Sequence, residues 1–499
     1  MKRFFVLATM LTAVLCSGGR LSAAMRGAII AETTAQRHGL ARPWFAQIQL
    51  DRSRARVSSL LLSEGVLYVL TDRAMVHALD AETGATLWAR QVGRPNHPSL
   101  APAANHDFLA IVNGSRLYVC NRYNGDLLYE IQIDGAPGAG PALNERRAFI
   151  PMVNGLVIAY RLTPMTDPLL ELGRRRENQT PEEIAQTEED RRENLRINQE
   201  YVPPLSCQSM GRSLVQPVVT RENEGEEYVV WPTDRGHLNL GYINRNQEDR
   251  FWVKYRLETS QGIAARPTYR PADANNPADF GMVFAACRDG SVYAIDERSG
   301  QSVWQFTTGE PILQPAVVIE GELFVATQPG GMYCLDAATG RDKWWAPAIA
   351  QFVAASKDRV YAVDKLGRIL VLNIQTGTRL DTIPTPLLPL KLNNDQTDRI
   401  YLATETGLIQ CLHELEHIKP MQHGLARKTK KKPGEQPAAP QAPPGQQKPG
   451  AADDPFGQGG DPFGGGNAPD PVGGGAKPNP PGNGGGVEDN PFGDDNALN

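Results

Sequence analysis

Cysteine is scarce and never clustered. The 499-residue chain has six cysteines, with no CxxC and no adjacent pair, so neither a zinc ribbon nor a disulfide framework is indicated. Five of them, Cys120, Cys207, Cys287, Cys334 and Cys411, lie beyond the N-terminal segment, and Cys334 and Cys411 fall in strand-like runs where a small buried thiol fits. GxSxG, GxxxxGK and CxxCH are absent, which removes the signatures of α/β-hydrolases, P-loop NTPases and c-type haem proteins. The eight histidines are scattered, and His237 and His413 sit in strand-like runs as packed or surface residues rather than ligands. The formal charge is only -5, with no basic stripe interleaved with aromatics, so nucleic acid is not an expected partner.

Long apolar runs are missing as well. The run over residues 4–15 falls short of the ~20 residues that span a bilayer. It follows Lys2 and Arg3 and precedes Ser22, Ala23 and Ala24, the three-part layout of a secretory signal cleaved after Ala24. The protein is therefore expected to be exported to the periplasm or cell envelope. Cys16 as a lipidated residue is the lesser reading, because Leu15 before it is bulky. Aliphatic residues almost vanish again after residue 428, where Pro and Gly dominate, a composition that cannot bury a core.

What is present is a repeat. The stretch LYVLTDRAMVHALDAETGATLW, beginning at Leu67, recurs in degenerate form from Leu109, Phe149, Tyr228, Met282, Leu323, Val360 and Ile400. The steps are mostly near 40 residues, the length of one four-stranded propeller blade. The best copies share Asp80-Gly84-Trp88, Asn121-Gly125-Tyr129, Asp296-Gly300-Trp304, Asp336-Gly340-Trp344 and Asn373-Gly377. The acid or amide accepts from turn amides, the glycine reverses the chain, and the aromatic residue packs between blades. Repetition makes this set structural rather than catalytic.

Prolines at 102, 141, 217, 267 and 315 mark short strands between the copies, at positions where a missing amide is tolerated, on an edge strand lining a central channel. The last copy lacks an aromatic strand. An orphan strand over residues 44–50 supplies one, so the N-terminus is expected to close an eighth blade.

The pattern LDAETGATLW resembles the repeat of the pyrroloquinoline-quinone (PQQ) type β-propeller family, over about residues 44–412. That family includes quinoprotein alcohol dehydrogenases and the propeller lipoprotein of the outer-membrane β-barrel assembly machinery. The resemblance implies an all-β, eight-bladed propeller of four-stranded antiparallel blades. Likeness to the dehydrogenases implies bound PQQ, a calcium ion and a catalytic aspartate, often with a disulfide between adjacent cysteines. Here no adjacent cysteines exist and no aspartate can be assigned by motif, so no cofactor, metal or catalytic residue is expected.

The expected layout is a signal peptide (1–24), a lead segment (25–43), the propeller (44–415) with a charged helical insertion (163–203), and a tail (416–499). The expected function is a monomeric, non-catalytic scaffold that binds an envelope protein, peptide or ligand; the alternative is a quinoprotein-like oxidoreductase. Arg212, Gln216, Arg266 and Gln314 flank the proline strands and offer donors at a channel mouth. In the tail, Phe456, Phe463 and Phe492 stand in DPFG or NPFG contexts as short anchors acting through effective concentration. The basic run at 427–432 suits an anionic envelope surface.

Overall fold

The computed structural model describes residues 28–162 and 203–424, apart from 221–225, 245–249, 274–275 and 277–278. The signal segment with Cys16, the inserted helix, the basic run and the tail with Phe456, Phe463 and Phe492 lie outside the described residues.

In an inner strand such as Phe108–Asn113 every residue is buried, because neighbouring blades cover both of its faces, and such strands read as unbroken apolar runs. The outer strand Thr86–Gln91 buries only Trp88. Eight four-stranded antiparallel sheets result. Seven are formed by consecutive strands: blade 1 (57–91), blade 2 (103–132), blade 3 (142–208), blade 4 (218–258), blade 5 (268–307), blade 6 (317–347) and blade 7 (351–383). Apolar side chains collect in eight clusters, each shared by two adjacent blades. The core is thus a ring of interfaces.

Blade 8 (390–414) is completed by the strand Leu40–Gln47, antiparallel to Leu408–Glu414, with Trp44 opposite Cys411. The closing strand starts at Leu40 rather than at Trp44. Residues 28–39 before it, including a helix at Glu32–Arg37, are docked: the Ile30 amide donates to Gln410 Oε1 at 3.2 Å, and Gln410 Nε2 donates to the Ala28 carbonyl at 3.2 Å. The expected lead segment therefore belongs to the propeller. Residues 416–424 also depart from the expected tail. The Arg399 guanidinium donates to the carbonyls of His417 (2.9 Å) and Ile418 (2.7 Å), and the Met421 amide donates to Asp398 Oδ1 (3.0 Å).

Pro102, Pro141, Pro217 and Pro267 each directly precede the first strand of a blade, and Pro315 precedes one by two residues. Those strands are sheet edges, where the missing proline amide breaks no ladder. The meander also sorts the loops. Turns joining first to second and third to fourth strands share one face, here the turn face; second-to-third turns and blade-to-blade crossings share the other, the crossing face.

Candidate functional site

The repeated Asp-to-Trp set is built into the turn face and the blade interfaces. Asp80 Oδ1 accepts from the amides of Glu82 (3.1 Å) and Thr83 (2.8 Å) and from the Thr83 hydroxyl (2.7 Å); Asp336 does the same with Ala338 and Thr339. Asn373 accepts from the Gln375 and Thr376 amides, both at 3.0 Å, and the Asn121 side chain from the Tyr123 amide at 2.8 Å. Asp296 accepts from the Arg298 amide at 2.7 Å. These acid and amide side chains cap their own turns.

Gly84 and Gly340 have φ of +70° and +71°, a region in which an added side chain is strained. A Cβ on Gly84 would also stand 2.4 Å from the ring of Trp44, and one on Gly340 2.5 Å from that of Trp304. Each glycine is the floor on which the preceding blade's indole lies. That indole then donates to the carbonyl just after the turn acid: Trp44 to Ala81 (3.1 Å), Trp88 to Arg122 (2.9 Å), Trp304 to Ala337 (3.1 Å), Trp344 to Ile374 (2.7 Å). Tyr129 and Tyr255 make the same bond through their hydroxyls, to Leu162 (3.3 Å) and Glu297 (2.9 Å).

Arg212, Gln216, Arg266 and Gln314 all lie in crossing loops and so share the crossing face. The structure gives them different tasks. Gln216 Nε2 donates to the carbonyls of Pro141 (2.7 Å) and Pro102 (3.4 Å), tying blade 4 to the loops of blades 2 and 3; it is a structural tie. Arg212 stands at the rim with its side chain 62% exposed, and Asp234 holds both its Nε and its backbone amide at 2.7 Å. Its guanidinium is presented in one orientation. Asp234 is kept below the ordinary carboxylate range by those Arg212 bonds against the opposing effect of burial.

Arg266 is open to solvent, yet burial lowers its pKa, with Asp395 of blade 8 opposing that shift. Burial correspondingly raises Asp395, offset by Arg266. Gln314 is half-buried. No hydrogen bond joins any two of the four.

The sequence reading missed two features. Met210 (51% exposed) and Leu214 (44%) flank Arg212 on the crossing face, and Leu313, Leu366 and Leu387 are exposed in loops of that same face. Single apolar residues in loops, several of them beside prolines, were the only signal. The second is His413-Glu414-Leu415-Glu416-His417, which has the letters of the HExxH zinc-protease pattern. That pattern needs a helix to bring its histidines to one face; here His413 and Glu414 end a strand. His413 Nδ1 donates to the Glu414 carbonyl at 2.7 Å, whereas His417 Nδ1 lies 3.5 Å from Asp398 and 3.7 Å from Glu414. Among the described residues no group of three or more His, Cys, Asp or Glu is placed to hold a metal ion, and Cys120, Cys207, Cys287, Cys334 and Cys411 are all buried free thiols.

With the geometry in place, comparison with known proteins separates fold from function. A family model described as outer membrane protein assembly factor BamB matches residues 25–162 and 288–405, just over half of the chain. The chain belongs to this family. The crystal structure of BamB from Moraxella catarrhalis aligns with a TM-score of 0.52 at 11% identity, covering 76% of this chain and 98% of that one. The quinohemoprotein alcohol dehydrogenase from Comamonas testosteroni aligns with a TM-score of 0.48 at 12% identity, covering 76% and 77%. The computationally designed Ika8 protein aligns at 0.49 and 13%, covering 72% and 96%. No curated protein sequence matches the chain. At these identities the structural likeness concerns the fold alone, and the BamB family assignment rests on the sequence match.

Proposed function

We propose that this BamB-family chain is a non-catalytic docking module of the cell envelope that takes part in outer membrane protein assembly. The observation that carries the reading is the crossing loop 209–217. Met210 and Leu214 project from it as exposed apolar residues on either side of Arg212, whose guanidinium is pinned by Asp234. An apolar pair around an oriented arginine is the anchor composition of a protein interface, in which apolar side chains lose their hydration and the planar cation pairs with a partner carboxylate. Support for placing it in the envelope comes from family membership and from the signal-like N-terminus.

Replacing Arg212 by Glu and Leu214 by Asp reverses the charge and wets the apolar anchor without touching the blade core. In cells whose only copy is this variant, the fraction of outer-membrane β-barrel protein that migrates in its folded, heat-modifiable form should fall, while the variant keeps the wild-type melting temperature. An unchanged folded fraction at equal expression sinks the proposal.

A further inference from the structure

The aromatic staples described above do not run all the way round. They occur at six junctions: 8 to 1 (Trp44), 1 to 2 (Trp88), 2 to 3 (Tyr129), 4 to 5 (Tyr255), 5 to 6 (Trp304) and 6 to 7 (Trp344). Register identifies what stands in their place at the other two. Each staple pairs with a third-strand residue: Trp88 with Ala78, Tyr129 with Val119, Trp304 with Ala294, Trp344 with Cys334. The equivalent partners in blades 3 and 7 are Leu205, opposite Ala159, and Asp381, opposite Val371. Neither side chain can reach a carbonyl as an N–H or O–H donor. We infer that the propeller is two stapled four-blade half-rings, blades 8-1-2-3 and blades 4-5-6-7, and that the junction between blades 7 and 8 is a gate latched by the N-terminal segment 28–39.

The two unstapled junctions differ in a way that says which one opens. Between blades 3 and 4 the space is filled by Trp231 and Phe251, and Arg147 and Glu227 pair at 3.3 Å with side chains 4% and 0% exposed. Asn144 extends that network by donating to Glu227 Oε2 at 2.7 Å, while Asn105 of blade 2 donates to the Asn144 carbonyl at 2.7 Å. Separating charges buried to this degree is strongly opposed, so this junction is the fixed hinge.

Between blades 7 and 8 the polar contacts include a Tyr361 hydroxyl on Glu414 Oε1 at 2.9 Å, Gln351 Nε2 on the Lys391 carbonyl at 3.2 Å, the Asn394 amide on the Val353 carbonyl at 2.8 Å and His423 Nε2 on the Ala355 carbonyl at 2.8 Å, but the ion pair there, His38–Asp381 at 2.5 Å, has side chains 18% and 41% exposed. An ion pair already wetted is released at little cost. Part of the apolar filling on this side comes from Ala28, Ile30, Ala35 and Leu40, which precede or begin the closing strand and pack on buried residues of blades 7 and 8. Segment 28–39 enters the ring at Leu40 and is held on it by Gln410, by Arg42 Nη1 donating to the Ile30 carbonyl at 2.9 Å and by His38 on Asp381, so breaking these few contacts releases it. Asp381, in staple register, is thus the catch that the terminal segment engages through His38.

Hydrogen–deuterium exchange on the full chain tests this. In the unaltered protein, amides of 28–47 and 379–383 should exchange at least tenfold faster than those of 86–91 and 342–347, which lie at stapled junctions. Asp381→Ala should accelerate 28–47, 379–383 and 400–414 further and leave blades 5 and 6 unchanged; Trp344→Phe, a control inside a half-ring, should not accelerate 28–47. Equal protection at all eight junctions in the unaltered protein overturns the inference, a result that does not depend on the variants folding. Acceleration spread evenly around the ring by Asp381→Ala overturns it as well.

Discussion

Trp344 gives the sharpest test of how the ring is held. Its side chain is only 8% exposed, lies over Gly377 with a would-be Cβ 2.5 Å from the ring, and donates to the Ile374 carbonyl at 2.7 Å. Trp344→Ala removes the whole plug from a junction closed on both sides by strands, so the site cannot collapse, and the expected loss is about 3–5 kcal/mol. Trp344→Phe keeps most of the apolar contact and removes only the N–H, leaving a buried carbonyl unpaired; the expected loss is about 1–2 kcal/mol. Urea denaturation followed by tryptophan fluorescence and circular dichroism on the same samples reads both values through the shift in midpoint. Trp88→Phe, at a junction on the other half-ring, should add to Trp344→Phe to within about 0.5 kcal/mol because the two sites share no partner. If Trp344→Ala lowers stability by no more than Trp344→Phe, the plug carries no packing energy and the reasoning fails.

Three further outcomes follow from other parts of the molecule. The Arg270 fork holds both Asp279 oxygens at 2.9 and 2.8 Å and lowers that carboxyl to about 2; since the folded value lies below the unfolded one, its stabilisation is full above about pH 4 and disappears as pH falls toward 2, amounting to about 2 kcal/mol. Acid titration of stability should show that loss in the natural protein and a correspondingly shallower one in Asp279→Asn. Purified protein supplied with PQQ and calcium should show neither saturable cofactor absorbance nor a raised melting temperature; a clear shift of either kind would favour the oxidoreductase reading over the docking module. Truncation after residue 427, and separately Phe456→Ala, Phe463→Ala and Phe492→Ala together, should reduce envelope-partner recovery in crosslinking without altering the propeller's melting temperature. Undiminished recovery confines partner binding to the blades.

The repeat was legible because each blade uses the same local devices: an acid or amide accepting from its own turn, a left-handed glycine, and an aromatic residue four positions on. Asp80, Gly84 and Trp88 can be read together because they lie within nine residues. The proline strands and the closing strand were legible for a similar reason, as unpaired edges have sequence consequences. The channel-mouth group was not. Arg212, Gln216, Arg266 and Gln314 share a loop position, but whether each meets a carboxylate, two carbonyls or open channel depends on residues in other blades: Asp234, Pro102, Pro141, Asp395.

By itself the sequence determined the family of fold, the number of blades, the turn chemistry and the way the ring closes, because all of these rest on short-range periodicity repeated eight times. Only the tertiary structure decided where the repetition breaks. It placed Leu205 in staple register, paired Asp381 with His38, seated residues 28–39 against blades 7 and 8, folded 416–424 back onto Asp398 and Arg399, and turned Met210, Arg212 and Leu214 outward. The physical reason is the length scale. A turn is specified by neighbours along the chain, whereas a junction is specified by side chains that meet only after the ring has closed.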